Sequence, residues 1–220
     1  NFQEQVATLY HNDGGGFFTD VSYPSGTGVH TFSTLGWSAV FFDYDHDGLK
    51  DLFVANGHIY PNAHEVDHTA SYEQPNHLFQ GMGHGAFEDI SERVGLSGRE
   101  SSRGAAVADY DLDGDLDIVV TNSNGPARLL RNDGGNAGGW IQVAPPLRLA
   151  VGTRVEVGTG DITQSAVVKG GQGYMSQGSL IAHFGVGAAE VIDLLRVTFP
   201  DGSVVVREDV AVNQRIGVSP

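Results

Sequence analysis

The chain has 220 residues, a formal charge of −15 from 27 acidic and 12 basic side chains, 31 glycines, 8 prolines and no cysteine. The acidity argues against a nucleic-acid backbone as partner. The missing cysteines exclude a disulfide framework and thiolate chemistry, and no apolar run is long enough for a membrane-spanning helix, so the chain does not read as membrane-spanning.

Along residues 1–137, apolar and aromatic runs of strand length alternate with glycine-rich turns. A strand is predicted over Val6–Tyr10 in "QVATLYHND", followed by "GFFTDVS", "WSAVFFDYD", "KDLFVANG" and "NHLFQGM", then by "AFEDISE", "GAAVADYD", "LDIVVTNS" and "ARLLRND". The series repeats itself. "LYHNDGGGFFTDVS" from Leu9 aligns with "LFQGMGHGAFEDIS" from Leu78, and "GWSAVFFDYDHDGLKDLFVANG" from Gly36 with "GAAVADYDLDGDLDIVVTNSNG" from Gly104. "ARLLRNDGG" from Ala127 matches both "ATLYHNDGG" from Ala7 and "NHLFQGMGHG" from Asn76. Self-similarity of this kind predicts two four-stranded β-propeller-type blades.

The opening strand reads as the last strand of a further blade, and a closed propeller needs about four to eight. The expected cover is either the missing blades of a longer precursor or another protein chain. Strand addition at Val6–Tyr10 is one route. Phe17, Val40 and Phe42 are then expected near water, as parts of an interaction surface. A start at Asn1, without methionine or signal peptide, reads as a processed product or a fragment.

Within each unit the turn between the second and third strands is acidic. "DYDHDGLKDL" places Asp43, Asp45, Asp47 and Asp51 at loop positions 1, 3, 5 and 9. "DYDLDGDLDI" places Asp109, Asp111, Asp113 and Asp117 at the same positions, with Asp115 as an extra. Such crowding opposes a compact turn unless a counter-charge is present. Calcium takes about six to eight oxygens at flexible geometry, and alternating acids supply them. Gly48 and Gly114 let the chain turn sharply. The spacing resembles the first half of an EF-hand, but the last acid falls at position 9, no glutamate stands at position 12, and the flanks are strands rather than helices. Two strand–loop–strand Ca2+ sites are therefore expected. Their ligands are the four aspartate side chains of each loop, the backbone carbonyl at position 7 (Leu49, Asp115) and water. Magnesium, which wants near-ideal octahedral geometry, fits less well. Calcium loops favour an extracellular or periplasmic setting.

The stretch "HIYPNAHEVDHTASYEQP" carries His58, His64 and His68, with His77 close behind and Glu65 and Asp67 between. A histidine–carboxylate metal site is one reading. A surface loop packed by Tyr60, Pro61 and Tyr72 is the other, and the spacing matches no zinc signature.

Over residues 138–220 the acids thin out. "WIQVAPP", "TRVEVGTG", "ITQSAVVKGG", "LIAHFGVG", "DLLRVTFPDG", "SVVVREDV" and "RIGVSP" alternate apolar and polar residues, and "PDGS" is a hairpin signal. This predicts a second, β-sandwich-like domain. In "GGQGYMSQG", Tyr174, Ser176 and Gln177 could bind a polar ligand such as a glycan, or the tyrosine could pack on the core.

The first part resembles the FG-GAP/VCBS repeat family, and "GTRVEV", "GGQGYMSQG", "AHFGVG", "VTFPDGS" and "VAVNQ" resemble the ASPIC/UnbV domain. The resemblance implies a secreted, calcium-binding propeller of more than two blades and supplies no defined catalytic activity. No GxSxG, phosphate-binding loop or dinucleotide fingerprint occurs, and "GVGAAE" near Gly185 leads into a strand rather than a helix. The expected function is an extracellular calcium-binding adhesion or assembly module acting through protein or glycan contacts. The alternative is the C-terminal part of a larger secreted propeller enzyme, a hydrolase or lyase, whose active site lies elsewhere.

Overall fold

The computed structural model describes residues 4–134 and 138–220, an all-β fold with three short helices. The domain boundary expected at residue 137 lies outside the described residues. Among the described residues no helix is long and apolar enough to cross a membrane.

Strands β1 (Tyr10–Gly14) and β2 (Phe17–Asp20) form an antiparallel hairpin, and helix α1 (Thr27–Thr31) follows. Strands β3 (Gly36–Phe42) and β4 (Asp51–Asn56) flank the first acidic loop. Helix α2 (Ala63–Val66) and the short β5 (Gln74–Pro75) lead to β6 (His77–Gly81) and β7 (Phe87–Asp89), which complete an antiparallel sheet ordered β3-β4-β6-β7. The short β8 (Arg99–Glu100) pairs with β5. Strands β9 (Ser102–Ala108) and β10 (Asp117–Asn122) flank the second acidic loop and join β11 (Arg128–Leu130) in a three-stranded sheet.

The strands group differently from the predicted units. Phe17–Asp20 pairs back onto β1, and Phe87–Asp89 back onto β6, instead of each opening the unit that follows. The glycine turns decide this. Gly14, Gly15 and Gly16 in one hairpin, and Gly83 and Gly85 in the other, all have left-handed backbone. Closing a hairpin there costs far less chain entropy than reaching β3 across residues 21–35. The second unit, expected with four strands, has three among the described residues. Of Val6–Tyr10 only Tyr10 lies in a strand. The amides of Ala7 and Leu9 donate instead to Thr31 Oγ1 (3.0 Å) and Ser22 Oγ (2.9 Å).

Alternation in β3 sends Val40 and Phe42 towards the second sheet, where they share a core with Phe53, Ala105, Val107, Ile118 and Val120. The expectation that both lie near water is therefore wrong: they are 0% and 5% exposed, whereas Phe17 is 74% exposed. Strand β4 is buried on both faces, with Phe53 and Ala55 in that core and Leu52 and Val54 in a smaller one with Phe79. Burial on both faces is why "DLFVAN" reads as an apolar run rather than an alternation.

The remaining elements are β12 (Gly139–Ala144), α3 (Leu147–Ala150), β13 (Arg154–Thr159), β14 (Ile162–Val167), β15 (Ala182–Gly187), β16 (Val191–Thr198), β17 (Val204–Ala211) and β18 (Gln214–Gly217). They form two sheets, ordered β15-β12-β18 and β14-β13-β16-β17. Ile141, Val143 and Phe184 of the first meet Val155, Ile192 and Leu195 of the second in one core. The "PDGS" turn joins β16 to β17, with Phe199 N donating to Ser203 O at 2.9 Å.

The stretch "GGQGYMSQG" is a strap laid over the first sheet. Gln172 Nε2 donates to Phe41 O (3.2 Å) and Tyr174 N to Ser38 Oγ (3.2 Å), and the Tyr174 ring meets Trp37 edge-on at 4.9 Å. At Gly173 a Cβ would lie 2.1 Å from Ser38 Oγ, so only glycine permits the approach.

Candidate metal centre

Strand pairing sets the geometry of each acidic loop. Phe42 pairs with Asp51, and Ala108 with Asp117, so the acid at position 9 returns beside the acid at position 1. Between them the chain turns through left-handed residues at the same two places: His46 (φ 60°) and Gly48 (φ 87°), Leu112 (φ 66°) and Gly114 (φ 105°).

The result is two equivalent carboxylate clusters. Asp43, Asp45 and Asp51 each offer an oxygen within 4.8 Å of the others, and so do Asp109, Asp111 and Asp117. The position-9 acids are pinned by backbone amides. Asp51 accepts from Tyr44 N (2.7 Å) and Gly81 N (2.8 Å); Asp117 accepts from Tyr110 N (3.1 Å) and Asn132 N (2.9 Å). The position-1 acids are half satisfied. Asp43 Oδ2 accepts from Gly48 N (3.1 Å) and Asp109 Oδ2 from Gln142 Nε2 (2.7 Å). Their Oδ1 atoms are buried and have no hydrogen-bond partner among the described residues. A buried acceptor left unpaired costs about 1–3 kcal/mol, more when charged. A hard cation among these oxygens removes that cost, so the donor set fits one.

The position-5 acids face their own loops. Asp47 Oδ1 accepts from Leu49 N (2.7 Å) and Asp113 Oδ1 from Asp115 N (3.0 Å), and neither belongs to the three-carboxylate clusters. Leu49 and Asp115, expected to give carbonyl ligands, follow directly in the turn. The Asp115 carboxylate itself is buried, 4.0 Å from His46 Nε2.

Burial is the main electrostatic fact of the first loop. It pushes Asp43 up to about 6, against the opposing pull of Lys50, and Asp51 up to about 7 despite its two amide donors. Asp47 and Asp117 are raised for the same reason. Buried carboxylates of this kind resist ionisation in spite of Lys50, and a cation among their oxygens would offset that cost.

Sequence reasoning missed the residues that brace the acids. Gln80 Nε2 donates to Asp45 Oδ2 (2.7 Å), and Gln80 Oε1 in turn accepts from Arg93 Nη2 (2.7 Å). Gly81 and Asn132 fall at one place in the aligned repeats, so the repeat itself carried a signal for their shared task. Nothing marked Gln142, which lies in the other sequence pattern.

The histidines do not gather. His77 Nδ1 lies 2.8 Å from Asp89 Oδ2, and His30 Nδ1 lies 3.3 Å from the same oxygen. Burial alone would raise Asp89, but hydrogen bonds from His77 and Ser91 outweigh it and hold the carboxyl well below its usual range. His58 Nδ1 accepts from Tyr60 N (3.1 Å), and His68 Nδ1 lies 3.1 Å from His64 O. Among the described residues none of them joins a group able to hold a metal.

Both loops lie against the sheet β15-β12-β18. Gly187 N donates to His46 O (2.8 Å), and His183 Nε2 lies 3.1 Å from Gly114 O. His183 is pushed down to about 3 by burial and by the neighbouring His46.

Both acidic loops fall within stretches that match a known family. The FG-GAP-like repeat family matches residues 3–54 and 68–120, and the ASPIC and UnbV family matches residues 144–220. Cartilage acidic protein 1 of Mus musculus is 24% identical over 252 residues, a match covering 90% of this chain and 38% of that protein. The proteins of the same name from Xenopus tropicalis and Homo sapiens are each 28% identical, over 173 and 176 residues. Those matches cover 75% of this chain and 25% of each relative. The chain thus spans between a quarter and about two fifths of the length of these relatives.

Proposed function

This chain carries FG-GAP-like repeats followed by an ASPIC and UnbV domain, and from that premise we propose an extracellular calcium-binding module, without catalytic activity, that serves assembly or adhesion through protein or glycan contacts. The observation that carries the reading is the duplicated geometry: two carboxylate clusters at equivalent positions, each with a buried position-1 oxygen that lacks a donor. Calcium would be held by Asp43, Asp45, Asp47, Asp51 and the Leu49 carbonyl in one loop, and by Asp109, Asp111, Asp113, Asp117 and the Asp115 carbonyl in the other. The ion supplies charge neutralisation and a fixed loop shape. The chain supplies pre-organisation, with Asp51 and Asp117 each held by two amides before any ion arrives.

The sheets around the two loops are read as neighbouring propeller blades, completed by further repeats or by another chain. Support comes from the core they share and from hairpin β1–β2, on which Tyr10, Phe17 and Phe18 are 62%, 74% and 61% exposed. Exposed aromatic residues of this density mark a surface made to be covered.

Calcium titration by calorimetry tests the metal reading. Two sites are expected, Asp45→Ala abolishing only the first and Asp111→Ala only the second. A parent chain that takes up no calcium would overturn it. Light scattering tests the assembly reading, which a stable monomer with no affinity for further repeats or another chain would defeat.

A further inference from the structure

We propose that the second acidic loop is a composite site. Gln142 and Arg215 of the C-terminal sheet set its first ligand, Asp109, for a cation, so that cation binding at this loop and docking of that sheet on the repeats are linked. The inference rests on the calcium reading above.

The two position-1 aspartates do the same thing by different means. In the first loop, Asp43 Oδ2 is held by the loop's own Gly48 amide at 3.1 Å. In the second, Asp109 Oδ2 is held by a side chain from outside the repeats, Gln142 Nε2 on β12, at 2.7 Å. Gln142 is not free to turn its amide round. Its Oε1 accepts from Arg215 Nε at 2.6 Å, so the NH2 end must face the aspartate. The parallel ladder of β12 and β18 pairs Gln142 with Arg215 and fixes them side by side. Arg215 Nη2 also lies 3.6 Å from Asp109 Oδ2.

The relay is dry where it matters. Gln142 is 1% exposed and the Asp109 side chain 3%. With Oδ2 committed to the relay, Asp109 Oδ1 is left buried and without a hydrogen bond, the one oxygen available to an ion. The same sheet also fits the loop backbone. A Cβ on Gly114 would lie 2.3 Å from the Trp140 ring, and Gly114 O is 3.1 Å from His183 Nε2. The C-terminal sheet thus holds the ligand at position 1 and fits the turn at position 6. Linkage is reciprocal: whatever the ion adds to docking, docking adds to ion affinity. Among the described residues the first loop has no such relay. Its Asp45 is braced from within the repeats by Gln80, and its bond to β15 runs from one backbone to another.

The test uses the full chain with Trp37→Phe, which leaves Trp140 as the sole indole. Asp45→Ala isolates the second loop and Asp111→Ala the first. Calcium affinity is measured by calorimetry, with Trp140 emission as a separate readout. Gln142→Leu should weaken the second loop about tenfold, as loss of an outer-shell partner does, and leave the first loop within about twofold. Calcium should shift Trp140 emission only when the second loop is intact. Arg215→Gln, at a side chain that is 36% exposed, should act in the same direction if Gln142→Leu folds poorly. Equal affinity with and without the relay, or an equal loss at both loops, overturns the proposal. Calcium bound at both loops with Trp140 silent and Gln142→Leu without effect overturns the linkage and leaves the calcium reading standing. A parent chain that binds no calcium overturns both.

Discussion

Gly185→Ala is the sharpest test of how the C-terminal sheet seats on the first acidic loop. Gly185 lies buried in β15, and a Cβ there would stand 2.3 Å from Asp43 Oδ2, 2.4 Å from His46 Cα and 2.6 Å from the His46 carbonyl carbon. Two of those three atoms are backbone, so no side-chain rotation relieves the clash. Ordinary contact begins near 3.4 Å, so the loop must withdraw by about 1 Å, against a native interior with little free volume. Overpacking of this kind costs about 1–3 kcal/mol, and withdrawal also strains the bond from Gly187 N to His46 O, worth about 1 kcal/mol. For a chain of this size each kcal/mol moves the melting temperature by about 2–4 °C. Together that is about 2–4 kcal/mol, so the expected fall is roughly 4–16 °C. Calorimetric melts with calcium and with EDTA measure it, and calcium affinity at the first loop should drop as well. Gly217→Ala in β18 is the control, because its Cβ would meet nothing within 4 Å and its effect should stay within about 0.5 kcal/mol. If Gly185→Ala melts together with Gly217→Ala and binds calcium normally, the packing of sheet on loop is not as described.

Chelation should destabilise the chain, since calcium at about 100 times its dissociation constant adds about 2.7 kcal/mol per site; a melting curve unmoved by EDTA would make both loops structurally incidental. Without calcium, stability should fall as pH rises. Asp43 and Asp51 have folded-state values of about 6 and 7, above the ordinary 3.8, so their contribution is complete below about pH 4 and is lost as pH rises through the folded values. The loss is on the order of 3 kcal/mol per group. Urea unfolding in EDTA at several pH values checks the sign, and Asp51→Asn should flatten the slope; a slope indifferent to that change would remove the assignment. Calcium affinity should climb over the same window as protons leave the carboxylates. Tyr174→Ala should cost about 1 kcal/mol through its lost contact with Trp37 and shift Trp37 emission in a Trp140→Phe background; unchanged emission would mean that the strap does not rest there.

What the sequence determined by itself is local. Alternating acids with a glycine at position 6, written twice between β-branched runs, specify a strand–loop–strand turn. The ladder then brings Asp51 beside Asp43 and Asp117 beside Asp109 without help from the rest of the chain. The all-β character and the "PDGS" hairpin are legible for the same reason: period-2 alternation and turn chemistry are properties of neighbouring residues. The tertiary structure decided which surface covers which. Alternation gave Val40 and Phe42 a common face, but only the packing of β9 against β3 buried it. The hairpin partner of Phe17–Asp20 turned on chain entropy at a glycine turn rather than on hydrophobic pattern. Gln142 reaches Asp109 and Gln172 reaches Phe41 from a separate part of the chain. No periodicity encodes such contacts, because a side chain's partner across a packed interface is fixed by the positions of whole sheets and not by its own neighbours in sequence.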